Sequence, residues 1–70
     1  MRYFVHDPDE ETVRRTVAAW TLAWFSYVSL GEIDDAGRRL VLVEPCEDFD
    51  SAPDDLVKWF RSSPFKKFHE

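Results

Sequence analysis

Residues 22–44 read Leu22-Ala23-Trp24-Phe25-Ser26-Tyr27-Val28-Ser29-Leu30-Gly31-Glu32-Ile33-Asp34-Asp35-Ala36-Gly37-Arg38-Arg39-Leu40-Val41-Leu42-Val43-Glu44, and the fold turns on whether their first half is helix or strand. The second half is plain. Arg38 to Glu44 is rich in Leu and Val and reads as a strand, and Asp34-Asp35-Ala36-Gly37 before it has turn chemistry. The first half allows two readings. A helical stripe begun upstream could run on through Trp24 and Val28 to a cap at Gly31. Alternatively Trp24, Phe25, Tyr27 and Val28 have the composition of a strand, and residues 24–33 match the length of the strand that follows. A strand needs a partner, so the hairpin is the favoured reading.

Upstream, Tyr3, Phe4 and Val5 predict a short strand over Arg2–His6. Asp7-Pro8-Asp9-Glu10 then opens a helix, with Asp7 as the expected cap, Pro8 in the first turn and Glu10 closing a capping box. Val13, Val17 and Trp20 recur at helical spacing and are expected to form its buried stripe, with Arg14 and Arg15 in water. Downstream, Pro45 ends the strand. Asp50 or Ser51 is expected to cap a second helix with Pro53 in its first turn and Leu56, Trp59 and Phe60 on its apolar face; Ser62-Ser63-Pro64 stops it. The expected architecture is α+β: a two-layer sandwich in the order β-α-β-β-α, a three-stranded antiparallel sheet with two helices on one face. Residues 1–64 form one compact domain and 65–70 a short tail.

A chain of 70 residues buries only ~60% of its unfolded surface, so three Trp, six Phe and two Tyr must supply much of its core. Cys46 is the single cysteine, which excludes an internal disulfide and fits a cytoplasmic protein. The N-terminal residues lack the apolar core of a signal peptide, and Val17–Leu30, interrupted by Thr21, Ser26 and Ser29, falls short of the ~20 apolar residues of a membrane span.

No motif specifies a reaction. Asp48, Asp50, Asp54 and Asp55 lack the central Gly and closing Glu of a calcium loop, and Pro53 breaks their spacing. Cys46, His6 and His69 match no zinc spacing and supply no oriented nucleophile–base pair. The chain's two glycines, Gly31 and Gly37, form no phosphate loop. The expectation is therefore a non-enzymatic protein with no metal and no cofactor.

Charge carries the functional signal. The net charge is −5, and the acids fall into clusters at residues 7–11, 32–35 and 44–55, the last with six acids and no Lys or Arg. Six of the nine bases sit in pairs, Arg14-Arg15, Arg38-Arg39 and Lys66-Lys67, without the long basic stripe of a duplex-DNA binder. A protein partner with a basic surface is expected, and direct nucleic-acid binding is disfavoured. The contact residues expected are Asp48, Asp50, Asp54, Asp55 and Trp59, with Phe65 and Phe68 from the tail. The alternative is a nucleic-acid-associated regulator or antitoxin-like module presenting Arg14, Arg15, Arg38 and Arg39 beside Tyr27 for base stacking.

Asp48-Phe49-Asp50-Ser51, followed by Leu56, Trp59-Phe60 and Pro64, resembles a segment of a small phage anti-CRISPR inhibitor of the type I-F surveillance complex. The resemblance spans residues 48–64 and implies a stoichiometric inhibitor of a nucleic-acid-binding machine.

Strict alternation would put Trp24, Val28 and Leu30 on one side of the second strand and Phe25, Tyr27 and Ile33 on the other, with Leu40 and Leu42 opposing Val41 and Val43 on the next. Both sheet faces would then be apolar. A homodimer, or the 64–70 tail, is expected to cover the outer one.

Overall fold

What settles residues 23–33 is how the first helix stops. In the computed structural model, which describes residues 2–21 and 23–67, α1 runs Glu10–Thr21 and Ala23 takes a left-handed φ of 60°. The Ala23 N–H donates to the Trp20 carbonyl (2.9 Å) and the Trp24 N–H to the Ala19 carbonyl (3.3 Å), the paired bonds of a Schellman cap. The helix therefore never reaches Gly31. Phe25–Ile33 becomes strand β2, paired antiparallel with β3 (Arg39–Pro45), so the hairpin reading holds.

Its turn is held by Asp34. That carboxylate accepts the N–H groups of Ala36 (3.0 Å) and Arg38 (2.8 Å), while Gly37 at φ 79° closes the loop. The other start signals are displaced. Asp9, not Asp7, caps α1, accepting the Thr12 N–H at 2.7 Å, because Asp7 is drawn into a left-handed φ of 48° as its N–H bonds the Arg39 carbonyl. Neither Asp50 nor Ser51 caps the second helix. Both lie in a 3-10 turn, Phe49–Ser51, and Pro53 occupies the position before α2 (Asp54–Ser62).

β1 (Tyr3–His6) pairs antiparallel with β3 along its whole length. The sheet has a fourth strand where three were expected: Lys66 and Lys67 form β4, pairing with Phe4 and Tyr3 at the far edge of β1. Two lysines carry no strand signal of their own. Their backbone satisfies part of an otherwise open edge, and their charges discourage further pairing there. The order across the sheet is β2-β3-β1-β4, every neighbouring pair antiparallel. The element order β-α-β-β-α-β, with β3 seated between β1 and β2, is the split β-α-β topology. That topology by itself assigns no function.

Both helices contribute to one core. Val5, Val41, Val43 and Phe25 from the sheet meet Ala19 of α1, Phe49 of the 3-10 turn, and Leu56 and Phe60 of α2. Phe60 is its hub, with ring centroids 5.2–5.5 Å from Tyr3, Phe25, Phe49 and Phe65.

Two expectations about faces are corrected. In α1 the buried line is Thr12, Thr16 and Ala19; of the expected stripe Val13 is half-buried against the core, whereas Val17 and Trp20 are 37% and 60% exposed. Small side chains let the helix lie close to the sheet, and the Thr16 hydroxyl is satisfied by the Thr12 carbonyl at 2.7 Å. In β2, irregularities between Phe25 and Tyr27 and between Leu30 and Glu32 reset the alternation. Phe25 is buried on the helix side, where Val28 and Leu30 also lie opposite Val43 and Val41. The outer side of β2 is Tyr27, Ser29 and Glu32, so it is not a second apolar face. Leu40 and Leu42 do lie outward, opposite Val41 and Val43, and are half-buried.

Candidate functional site

The acid-rich segment wraps the corner where β3 passes through the 3-10 turn into α2. This turn forms because the Phe49 side chain is drawn into the core against Phe25 and Phe60, while backbone bonds from Ser51 to Asp48 (2.8 Å) and from Ala52 to Phe49 (2.9 Å) tighten the chain around it. Anchoring Phe49 turns its neighbours outward. Glu47, Asp48, Asp50, Asp54 and Asp55 are all exposed.

Only one of these acids has a cationic partner among the described residues: Asp50 pairs with Arg61 of α2. The Asp55 carboxylate accepts the neighbouring Leu56 N–H at 3.0 Å, and Asp54 and Asp55 both lie in the first turn of α2, where its dipole favours them. Glu47, Asp48, Asp54 and Asp55 have no counter-ion among the described residues. Asp50 and Phe65 line a cleft of about 380 Å³ with Tyr3, Cys46, Glu47, Phe60 and Arg61. Asp54 and Asp55 lie at the other end of α2, roughly 9 to 10 Å along its axis from Arg61.

The aromatics expected at the site are half-buried. Trp59 and Phe65 meet edge to face with centroids 6.0 Å apart, and Phe65 also packs on Phe60. Phe65 therefore docks onto the domain. Phe68 lies outside the described residues. Sequence reasoning passed over Glu47, Cys46 and Arg61 as cleft residues. Only the acid at position 47 carried a signal, as a member of the cluster. Cys46 is half-buried, its thiol 3.7 Å from the Ala23 carbonyl.

The three acidic clusters do not merge into one surface. The Asp7 N–H bonds the Arg39 carbonyl, which brings residues 7–11 beside the 32–35 hairpin tip. The 44–55 cluster follows the opposite end of β3, roughly 20 Å away for a strand of seven residues. Among the described residues, no group of three His, Cys, Asp or Glu side chains could hold a metal ion.

The arginines proposed for nucleic acid are largely occupied. Arg14 and Arg15 both pair with Glu11, and Arg38 pairs with Asp34 at 3.0 Å. Tyr27 has the Arg2 guanidinium over its ring at 4.1 Å, which takes the face a base would stack on. Hydrogen bonds from Arg15 and Arg14 hold the Glu11 carboxyl below its ordinary range, and the Arg38 N–H does the same for Asp34.

No protein-family model matches this chain, and no match was found among curated proteins or solved structures. Among the described residues, no helix is long and apolar enough to cross a membrane.

Proposed function

We propose that this chain is a small, non-enzymatic interaction protein of the cytoplasm that docks on a basic, nucleic-acid-binding surface of a protein partner and occludes it. The observation that carries the reading is the set of exposed carboxylates, Glu47, Asp48, Asp54 and Asp55, which have no counter-ion among the described residues and lie around a 3-10 turn. Carboxylates on a fixed scaffold resemble the spaced charges of a phosphate backbone. They steer the protein toward Lys- and Arg-lined grooves, and the association rate rises as salt falls. Asp50 joins the contact by exchanging Arg61 for a partner cation. Such an exposed pair costs little to break. Trp59 and Phe65 add an apolar margin through the parts that remain exposed. The likeness of residues 48–64 to a type I-F anti-CRISPR inhibitor supports the same class, a stoichiometric blocker.

The test is capture from host lysate at low and moderate salt, with the Asp48→Asn, Asp50→Asn, Asp54→Asn, Asp55→Asn quadruple variant beside the wild type. All four side chains are exposed, so the variant keeps its circular dichroism spectrum. We expect it to lose the partner that the wild type holds. Recovery of the same partner by both forms refutes acidic contact. Micromolar binding of labelled oligonucleotides that weakens steeply with salt would move the assignment to a nucleic-acid regulator.

A further inference from the structure

The exposed large apolar side chains lie on one flank of α1 and on β2, where Ile33 is 62% exposed. Val17 is 37% exposed, Trp20 60% and Leu30 44%. Val13, Val17 and Trp20 lie about 100° around α1 from its buried line of Thr12, Thr16 and Ala19. The crossover from β1 through α1 to β2 is of the kind that is right-handed, which turns this flank toward the outside of β2. β2 is there a terminal strand of nine residues, in contact with α1 on one face and, among the described residues, with no strand on its far side. Its sequence, FSYVSLGEI, contains no Lys, Arg or Pro to guard the edge, and Leu30 stands exposed on its helix side.

We propose that the β2 edge and the Val17–Trp20 flank of α1 form a homodimer interface, in which two copies pair antiparallel through β2 and join their four-stranded sheets into one sheet of eight. The patch is self-complementary. A two-fold axis at Ser29, the middle of β2, sets Leu30 opposite Val28 of the second copy on the helix side, beneath the two α1 flanks. About this axis the residues that pair within the regular stretch between the two irregularities are Val28, Ser29 and Leu30. Charge selects this orientation. A parallel arrangement would bring both acidic hairpin tips together. The antiparallel one separates the tips and places Glu32 at the other end of the second copy's strand, where Arg2 lies over Tyr27 and pairs with Glu44 at 3.6 Å. The docking corner around Asp48 and Asp54 stays free, so this interface stands whether or not the function proposed above is correct.

Sedimentation equilibrium of the full chain from about 1 to 300 µM tests it, with Trp20→Lys and Leu30→Lys as variants. Both residues are exposed, so both variants keep the wild-type circular dichroism spectrum. The wild type should show a reversible monomer–dimer equilibrium, and each variant should weaken it at least about thirtyfold, as loss of an interface hot spot does. A wild type that stays monomeric over the whole range overturns the proposal and leaves the edge to a strand from another protein. A dimer that either variant leaves at wild-type affinity overturns it as well.

Discussion

Replacing Phe60 tests the account of the core most directly. Its ring is buried at 8% exposure and meets four other aromatic rings at 5.2–5.5 Å. It links β1 through Tyr3, β2 through Phe25, the 3-10 turn through Phe49 and the C-terminal segment through Phe65. Truncation to Ala removes the hub and leaves a cavity, at a cost of about 3–5 kcal/mol. A domain of 70 residues has a folding free energy on the order of 5 kcal/mol, so Phe60→Ala should keep no more than about 2 kcal/mol of it and be partly unfolded at room temperature. Phe60→Leu is the quantitative version. It keeps most of the apolar volume and loses the ring–ring geometry, each pair of which contributes about 0.5–1.5 kcal/mol beyond area burial. Shared partners make those terms less than additive, and about 2 kcal/mol is expected in total. For a domain of this size that lowers the midpoint of thermal unfolding by roughly 10 °C. Urea titration followed by tryptophan fluorescence and by circular dichroism measures both variants. A loss below about 1 kcal/mol for Phe60→Leu, together with a loss below about 2 kcal/mol for Phe60→Ala, would show that the four rings do not converge on this side chain.

Two further outcomes follow from the backbone and from the carboxylates. Ala23 holds a left-handed φ of 60° at the end of α1, so Ala23→Gly relieves that strain and should raise stability by up to about 1 kcal/mol in urea melts; a clear loss would mean that the helix does not end there. Asp9, Glu11 and Asp34 are held below their ordinary values of 3.8, 4.5 and 3.8, chiefly by the hydrogen bonds from Thr12, Arg15 and Arg38 respectively. Depressed folded-state values mean that their stabilisation is complete above the unfolded values and is lost as pH falls through the folded ones. Stability should therefore be flat above about pH 5 and decline below about pH 4, and a denaturation series unchanged down to about pH 3 would contradict these hydrogen bonds.

The features legible in the sequence are those whose cause lies within a few consecutive residues. Asp34-Asp35-Ala36-Gly37 makes its own turn because one carboxylate can reach the N–H groups two and four positions on. The alternating Leu and Val before Glu44, with β-branched Val41 and Val43, favour extended backbone, and Leu56 and Phe60 share a helix face by spacing alone. The acids around residue 48 were legible as charge, since exposed carboxylates need no tertiary partner to face water. The choices that remained belonged to the assembled molecule. In α1 two lines compete at the same spacing, Val13-Val17-Trp20 and Thr12-Thr16-Ala19, and only the distance to the sheet decides between them. A close approach admits the small residues and leaves Trp20 outside. Asp9 displaced Asp7 as the cap because the Arg39 carbonyl, 32 positions along the chain, drew the Asp7 N–H away. The irregularities in β2 arise from its pairing with β3, and they moved Phe25 to the buried side against strict alternation. Lys66 and Lys67 became strand because β1 offered an unpaired edge, and backbone hydrogen bonding does not depend on which side chains are present.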